Sequence, residues 1–323
     1  MRSAKAPSYR PDLESNLMPN ATESWTFAGS RAEASAKRLG APQHMAPPSP
    51  AARPTPTPAR SVFGEWLLLR GVPDQGERHA GLPLTCAEEI ARAVRGALLR
   101  HAVDPPPSAL SGHTPDGRRL ETPHAAFLAL PDLRSRCITG AAIALPRGIE
   151  SDQRQAILLA AARWERSGLR LVLGRLGTMQ LTRVDAPIAG DPVDPARWLG
   201  PSHRWASVTP IALHHNPGDL TSRDPAKAAR AARRAEEIVT RACAHICLPS
   251  PTRVRVMRHS LFPGVPSAPE FMPFPRKSGG SGSDKFTRVC VHAVLDFAEP
   301  VEGPVLLGAG RYFGVGLGEV WEA

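Results

Sequence analysis

Two stretches of this chain repeat one order of predicted elements, and that order limits the folds open to it. Residues 61–190 read as strand, helix, strand, strand, helix, strand. Residues 202–323 begin with the same strand, helix, strand and strand, but leave little room for a second long helix. This order is typical of an antiparallel sheet that carries its helices on one face. The sequence therefore predicts an α+β protein made of two tandem ferredoxin-like units.

The spacing of apolar residues predicts where the helices and strands of the first unit lie. One helix is predicted in LTCAEEIARAVRGALLRHA, where Thr85 and Glu88 have the spacing of a capping box, and another follows Ser151, which can cap it. The predicted buried residues of these helices are Ile90, Val94, Leu98 and Leu99, then Ile157, Leu158, Ala161 and Trp164. Short apolar runs predict strands at 62–70, 124–130 and 138–145, and a last strand or strand pair within 169–184.

One long helix dominates the second unit. Residues 224–246 predict this helix, and strands are predicted within 204–213, 252–260 and 286–297. The apolar line of the helix is Ala228, Ala231, Ala235, Ile238, Ala242 and Ile246. A basic line runs beside it, formed by Lys227, Arg230, Arg234 and Arg241. That line is either a contact surface for an anion or a solvated face.

Residues 1–60 differ in composition from the rest of the chain. They are rich in Pro, Ala, Ser and Arg, most clearly in the stretch PPSPAARPTPTPAR. Such a segment cannot bury enough apolar surface to offset the entropy lost on ordering. We therefore expect a disordered segment before the two units.

The charge of the chain points to an anionic partner. The formal net charge is +10 and the sequence pI is about 10.1, with 42% hydrophobic residues. A basic surface on a foldable core favours nucleic acid or anionic lipid as the partner. A GC-rich genome, which favours Ala, Arg and Pro over Lys, would produce the same positive charge. No apolar run is long enough to span a bilayer and no signal-peptide pattern is present, so we expect a cytoplasmic protein without a membrane partner.

The cysteines do not suggest a disulfide framework or a metal site. Their number, five, is odd, and Cys243 and Cys247 stand four apart with His245 on a different helix face. No second pair of ligands has zinc-binding spacing. We expect free thiols and neither a metal nor another cofactor.

The stretch LSGHTPDGRRLETPHAAFLALP, residues 110–131, is the first candidate site. Asp116 and Gly117 form a strong turn signal that can fold the flanks together and bring His113 and His124 close. Arg118 and Arg119 are the nearest cations. The two histidines are either a proton-transfer pair or structural residues hydrogen-bonded to backbone, and a zinc pair lacks further ligands.

The stretch LLGAGRYFGVGLG, residues 306–318, is the second candidate site. It lacks the helix and the acidic residue of a dinucleotide fingerprint, and it lacks the Gly-Lys-Ser/Thr of a Walker loop. Its glycines either let backbone amides approach a phosphate or a helix, or they only permit a tight bend. Tyr312 and Phe313 are either stacking surfaces for a base or core residues.

These motifs resemble a known family. The stretches SGHTPDGRRLETPHAAFLALP, GAAIALPRG and LLGAGRYFGVGLG are similar to the RAMP superfamily of CRISPR-associated RNA-binding proteins, whose units are RRM-like. From about residue 61 to the end, the chain most resembles the Cas-six-like half of the type I-U or I-G subunit Csb-two. The Cas-five-like half of that subunit has no counterpart in residues 1–60, which are too few and too polar. We expect either that another chain supplies it or that this chain is truncated.

The resemblance implies cleavage of precursor CRISPR RNA within each repeat, without metal. The 2′-hydroxyl attacks the neighbouring phosphate and leaves a cyclic phosphate and a 5′-hydroxyl, and the product stays bound among other effector subunits. His113 and His124 would supply acid and base, and Arg118 and Arg119 would stabilise the charge. The expected RNA-binding residues are Gly308, Gly310, Arg311, Tyr312, Phe313, Gly314, Gly316, Arg253, Arg255, Arg276 and Lys277.

Two other functions remain open from the sequence. The first is a catalytically silent RAMP subunit that only holds guide RNA. The second is a ferredoxin-like protein-interaction module with incidental positive charge. Among the other histidines, His214 and His215 precede the turn Asn216-Pro217-Gly218, and they read as a solvated pair.

Overall fold

The computed structural model describes residues 57–72, 81–271 and 288–322, which lie in one compact unit. Two of the predicted RNA-binding residues, Arg276 and Lys277, lie outside the described residues, as do residues 1–56 of the predicted disordered segment. Ala59 and Arg60, which the prediction also placed in that segment, form a short strand. They pair in parallel with Val301 and Glu302.

The described residues form two sheets and several helices, so the predicted α+β class is confirmed. The strands are β1 (Ala59–Arg60), β2 (Phe63–Val72), β3 (Leu82–Pro83), β4 (Ala126–Asp132), β5 (Cys137–Pro146), β6 (Arg170–Val172), β7 (Thr178–Val184), β8 (Pro201–Ser207), β9 (Ile211–Ala212), β10 (Arg253–Met257), β11 (Cys290–Glu302) and β12 (Gly318–Val320). The α-helices are α1 (Ala87–His101), α2 (Ser108–Ser111), α3 (Ser151–Arg166), α4 (Ala196–Leu199) and α5 (Pro225–Ala244). Short 3-10 turns span Leu84–Cys86, Gly174–Leu176, Ala268–Glu270 and Arg311–Phe313.

The two sheets share one strand arrangement. In the first sheet, β5 pairs with β2, β3 and β4, and β7 pairs with β2 and β6. In the second sheet, β11 pairs with β1, β8, β9 and β10, and β12 pairs with β8. The long strands that precede α1 and α5 are central: β2 lies between β5 and β7, and β8 lies between β11 and β12. The strands that follow these helices pair elsewhere: β4 pairs with β5, and β10 pairs with β11.

The helix starts differ from the predicted caps. The expected capping box of Thr85 and Glu88 is wrong, because α1 begins after Cys86 without a side-chain cap bond. A 3-10 turn at Leu84–Cys86 leads into this helix instead, which is a common way to begin one. The cap predicted at Ser151 is also wrong, because Glu150 occupies the cap position and makes no side-chain bond. In α5, by contrast, the Asp224 carboxylate accepts hydrogen bonds from the amides of Ala226 and Lys227.

The first sheet is buried on both faces. On one face, Leu69, Phe127 and Ile143 pack with the predicted stripes of α1 and α3. Leu99 and Ala161 lie only at the edge of this core. On the other face, Leu68 and Leu128 belong to the core that also holds Trp205 of β8 and Val239 of α5. The double burial explains why β4 is apolar at successive positions rather than alternating.

The glycine-rich segment, Leu306–Gly318, lies between β11 and β12, and its last residue begins β12. Its glycines allow its own backbone to approach neighbouring chain very closely. A Cβ at Gly316 (φ +92°) would lie 2.0 Å from the Leu307 carbonyl oxygen, and one at Gly308 (φ +85°) 2.4 Å from that of Ala212. No other residue type fits at these two positions without moving the backbone.

One buried hydroxyl anchors the glycine-rich segment. Thr209 Oγ1 donates to the Gly314 carbonyl (2.8 Å) and accepts from the amides of Gly316 (3.0 Å) and Leu317 (2.8 Å). The Thr209 residue is 2% exposed, so water cannot replace these bonds. A single side chain therefore satisfies three buried backbone groups.

We predict that Thr209→Val lowers the free energy of unfolding by about 2–3 kcal/mol, because it leaves those backbone groups without partners at nearly unchanged volume. Urea denaturation measures the loss. The matched control is Thr252→Val, whose exposed hydroxyl donates to the Asp296 carbonyl, and it should cost less than about 1 kcal/mol. Equal losses in the two variants would contradict the anchoring role of Thr209.

Candidate functional site

A short hairpin after α2 carries the first candidate residues. The turn predicted at Asp116–Gly117 is present: the Gly117 amide donates to the Thr114 carbonyl (2.9 Å), and Gly117 has φ +80°. The Thr114 amide donates to the Arg118 carbonyl (2.8 Å), and His113 stands opposite Arg119 in an antiparallel bridge. Residues opposite each other in such a bridge project their side chains to the same face.

His113 is exposed at the base of this hairpin. Its Nδ1 lies 3.0 Å from the Ser111 carbonyl oxygen, which can only accept a hydrogen bond. In the neutral ring the proton therefore sits on Nδ1, and Nε2 is the acceptor. An exposed imidazole in this tautomer can accept a proton from a bound substrate.

His124 is buried and only 9% exposed. Its Nδ1 donates to the Ala125 carbonyl (3.1 Å), and its Nε2 edge faces Gly112, where a Cβ would lie 2.9 Å from Nε2. Burial, aided by the positive charges of Arg95, Arg311 and Arg119, lowers the pKa of His124 to about 4. The ring is therefore neutral at physiological pH.

The hairpin does not join the two predicted histidines directly. Within the described part of the chain, no hydrogen bond or ring contact links His113 to His124. His124 instead stacks on Tyr312, with ring centroids 3.6 Å apart and an interplanar angle of 20°. The contact brings the loop after α1 and the glycine-rich segment together at one place.

Arginines lie over both aromatic residues of the glycine-rich segment. We call the following six residues the junction site: His124, Tyr312, Phe313, Arg92, Arg95 and Arg311. The Arg311 guanidinium lies 4.6 Å from the Tyr312 ring centre. Arg92 and Arg95 of α1 lie 4.6 and 5.9 Å from the ring centre of Phe313. These distances are within the range of cation–π attraction.

The arginines differ in how they are paired. Arg92 forms an ion pair with Glu88 (2.5 Å), and Arg95 donates to the Ser111 carbonyl (2.5 Å). Burial lowers the pKa of Arg95, and the charge of Arg92 adds to this. Arg311 Nε is buried with no hydrogen-bond partner in the described residues. Arg118 pairs with Asp116 (2.9 Å) at the exposed tip of the hairpin.

The glycines of the glycine-rich segment are covered by the protein itself. Gly308, Gly310, Gly314 and Gly316 are buried, and a Cβ at Gly314 would lie 3.3 Å from the Ala129 amide nitrogen of β4. Arg311, Tyr312 and Phe313 are only partly buried. The part of this segment that can meet a ligand is therefore its three central side chains.

The structure places Arg253 and Arg255 away from the junction site. Both are exposed on β10, and β11 and β8 separate that strand from β12, into which the glycine-rich segment leads. The sequence does not show this separation, because strand order in a sheet does not follow chain order.

Sequence reasoning missed several residues that the fold brings to this region. Arg92 and Arg95, three positions apart on α1, carry a signal that could have been noticed, since residues so spaced share a helix face. His214 was expected to be solvated, but it is half-buried and lies edge to face with His245, with ring centroids 4.9 Å apart. No local sequence pattern indicates the contact between His214 and His245.

Two classes of site are not found among the residues that the structure describes. No group of three or more His, Cys, Asp or Glu side chains there could hold a metal ion, and the five cysteines are free. In the same ranges, no helix combines the length and the hydropathy that crossing a membrane would require.

Comparison with known families identifies the chain at the family level. The model of the family described as CRISPR-associated protein, GSU0054 family, matches residues 83–319, a span that includes both the hairpin and the junction site. The comparisons with curated proteins and with solved structures found no match. Because the family match covers well over half of the 323 residues, the chain belongs to this CRISPR-associated family.

Proposed function

We propose that this chain is a metal-independent endoribonuclease that cleaves precursor CRISPR RNA within its repeats and retains the product. The observation that carries the proposal is the stacking of His124 on Tyr312, which joins two candidate motifs into one arginine-lined site. Membership in a CRISPR-associated family makes RNA the anion that such a site would meet. The hairpin adds an exposed imidazole beside it.

The same proposal extends to the assembly. We interpret the two sheets as tandem ferredoxin-like units of the RAMP kind, each built around one series of strands. The chain would then be the Cas-six-like component of a type I-U or I-G effector complex. Other effector subunits would hold the mature RNA.

The proposed chemistry uses His113 as the proton acceptor. The 2′-hydroxyl gives its proton to Nε2, and its oxygen bonds to the adjacent phosphorus. The bond to the 5′-oxygen then breaks, and that oxygen takes a proton from water. Arg119, opposite His113 in the hairpin, would neutralise the charge that develops on the phosphorus oxygens. Arg118 is the second candidate for this task, although it already pairs with Asp116.

For His124 we propose a positioning role. Its ring is buried, neutral and stacked, so its contribution is to hold Tyr312 and the glycine-rich segment in place. Tyr312 and Phe313 then offer aromatic surfaces for unpaired bases, and Arg311 offers a cation for the backbone.

The second candidate function is a non-catalytic subunit that only binds guide RNA. The observation that favours it is the separation of the two histidines: one is buried, and no contact within the described residues pairs it with the other. Acid–base pairs in ribonuclease chemistry require both groups at the scissile phosphate. Both candidates predict RNA binding that weakens as salt concentration rises.

Cleavage of repeat RNA in EDTA tests the first candidate. We predict a product with a cyclic phosphate end, and a rate about 10²–10⁴-fold lower in His113→Ala. The matched control is His203→Ala, since His203 is also exposed and also has Nδ1 on a backbone carbonyl (Phe297, 3.2 Å). That variant should keep the wild-type rate.

Three outcomes of this assay are informative. Folded protein that binds the RNA but never cleaves it would leave only the guide-binding function. Cleavage that survives His113→Ala would remove His113 from the mechanism. No RNA binding at low salt would overturn both functions and favour a protein-interaction module.

Substitution of His124 separates positioning from proton transfer. We predict that His124→Phe, which keeps a ring against Tyr312, cleaves within about tenfold of the wild type, whereas His124→Ala loses about 1–3 kcal/mol of stability and binds RNA more weakly. Cleavage rate, RNA affinity and urea denaturation are the measurements. A His124→Phe variant as slow as His113→Ala, with normal RNA affinity, would instead make His124 a proton-transfer residue.

A further inference from the structure

A second group of histidines and arginines lies beside the junction site. It comprises His214 after β9, His245 at the end of α5, Arg288 just before β11, and Arg311 of the junction site, whose charge acts on both histidines. We call these four residues the histidine–arginine cluster. The rings of His214 and His245 meet edge to face, with centroids 4.9 Å apart and an interplanar angle of 72°.

The backbone holds this cluster from three sides. Arg288 Nη1 donates to the carbonyl oxygens of Leu213 (3.2 Å) and His214 (3.1 Å), which ties the end of β9 to the start of β11. Arg311 Nη1 donates to the Gly308 carbonyl (3.3 Å). His245 is the C-cap residue of α5, and the buried Ile246 and Leu248 follow it. Hydrogen bonds to backbone carbonyls therefore hold both guanidinium groups of the cluster.

The charged groups that shift the pKa of the two histidines are all positive. Burial first, and then His245, Arg311, Arg288 and His215, lower the pKa of His214 to about 4. Burial and then Arg311 lower the pKa of His245. No carboxylate of the described residues is among the groups that shift either pKa. Arg311 Nε is in addition a buried donor without a partner.

Such an arrangement favours the binding of an anion. Buried donors are nearly always hydrogen-bonded in folded proteins, and clustered positive groups repel each other unless a negative group joins them. Guanidinium and imidazole donors together match the oxygens of a phosphate. Arg311 also lies over Tyr312 of the junction site, so a strand that reaches Tyr312 passes beside this cluster.

We propose that the histidine–arginine cluster binds a backbone phosphate of the RNA, as a subsite separate from the hairpin that carries His113. The ligand is a phosphodiester, held by the ring nitrogens of His214 and His245 and by the guanidinium of Arg311. This inference rests on the proposed RNA binding, but it does not require that the chain cleaves RNA.

Phosphate binding here is coupled to proton uptake. In the free protein His214 is neutral well below its ordinary pKa of 6.5, because its pKa is about 4. A bound anion raises the pKa of both histidines, so binding at slightly acidic pH takes up protons. A phosphodiester does not itself titrate in this range. Affinity therefore rises as pH falls, by up to about tenfold per pH unit for each proton taken up.

The test measures the affinity of a fluorescent single-stranded RNA by anisotropy. All its 2′-hydroxyls are methylated, so it cannot be cleaved. From about pH 7.5 to about pH 5.5, wild-type affinity should rise about 10- to 100-fold. The rise should shrink to a few-fold in His245→Gln, which changes an exposed residue, and in His214→Gln/His245→Gln. His203→Gln, outside the cluster, should retain the full rise.

The same pH dependence in the double variant as in the wild type would overturn the proposal. His245→Gln guards against misfolding of the double variant, because the exposed single change should keep the wild-type melting temperature. A second arm uses inorganic phosphate as competitor at the lower pH. If inorganic phosphate shifts the histidine NMR signals of the wild type but the RNA does not, the site belongs to free phosphate and the RNA subsite is rejected.

The result of this binding experiment does not depend on the result of the cleavage assay. A wild-type protein that never cleaves repeat RNA, yet loses its pH-dependent binding in His245→Gln, would refute the nuclease and support the subsite. A protein that cleaves through His113, with pH-dependent binding unaffected by both cluster variants, would support the nuclease and refute the subsite.

Discussion

The burial of the first sheet on both faces is the constraint on which the rest of this structure depends. One face packs against α1 and α3, and the other shares a core with the second sheet and α5. Residues such as Phe127 and Leu128 point to opposite sides of β4 and are both fully buried. The hydrophobic effect thus holds the two sheets together, because separating them would expose a whole sheet face to water.

The glycine-rich segment lies between β11 and β12 and packs into this shared core through Leu306, Leu307 and Leu317. Thr209 satisfies three of its buried backbone groups. Gly314 packs directly against β4, which is the strand that follows His124. Tyr312 precedes Gly314 by two residues, so its stacking on His124 lies beside this close contact.

Arg311 connects the two parts of the proposed RNA path. It lies over Tyr312 on one side and lowers the pKa of both His214 and His245 on the other. Membership in a CRISPR-associated family supports the proposal that RNA is the anion at both places. In this arrangement the hairpin would perform chemistry, while the buried rings and arginines would hold the strand.

The sequence by itself determined the mixed α+β class, the order of the main strands and helices, and the turn at Asp116–Gly117, because apolar period and turn chemistry act over a few residues. It could not decide that His124 meets Tyr312, that His214 meets His245, or that β10 lies across the sheet from β12. Periodicity shows which face of an element is buried, but not which distant face covers it. Those pairings follow from packing two sheets around one core, and packing is a property of the tertiary structure alone.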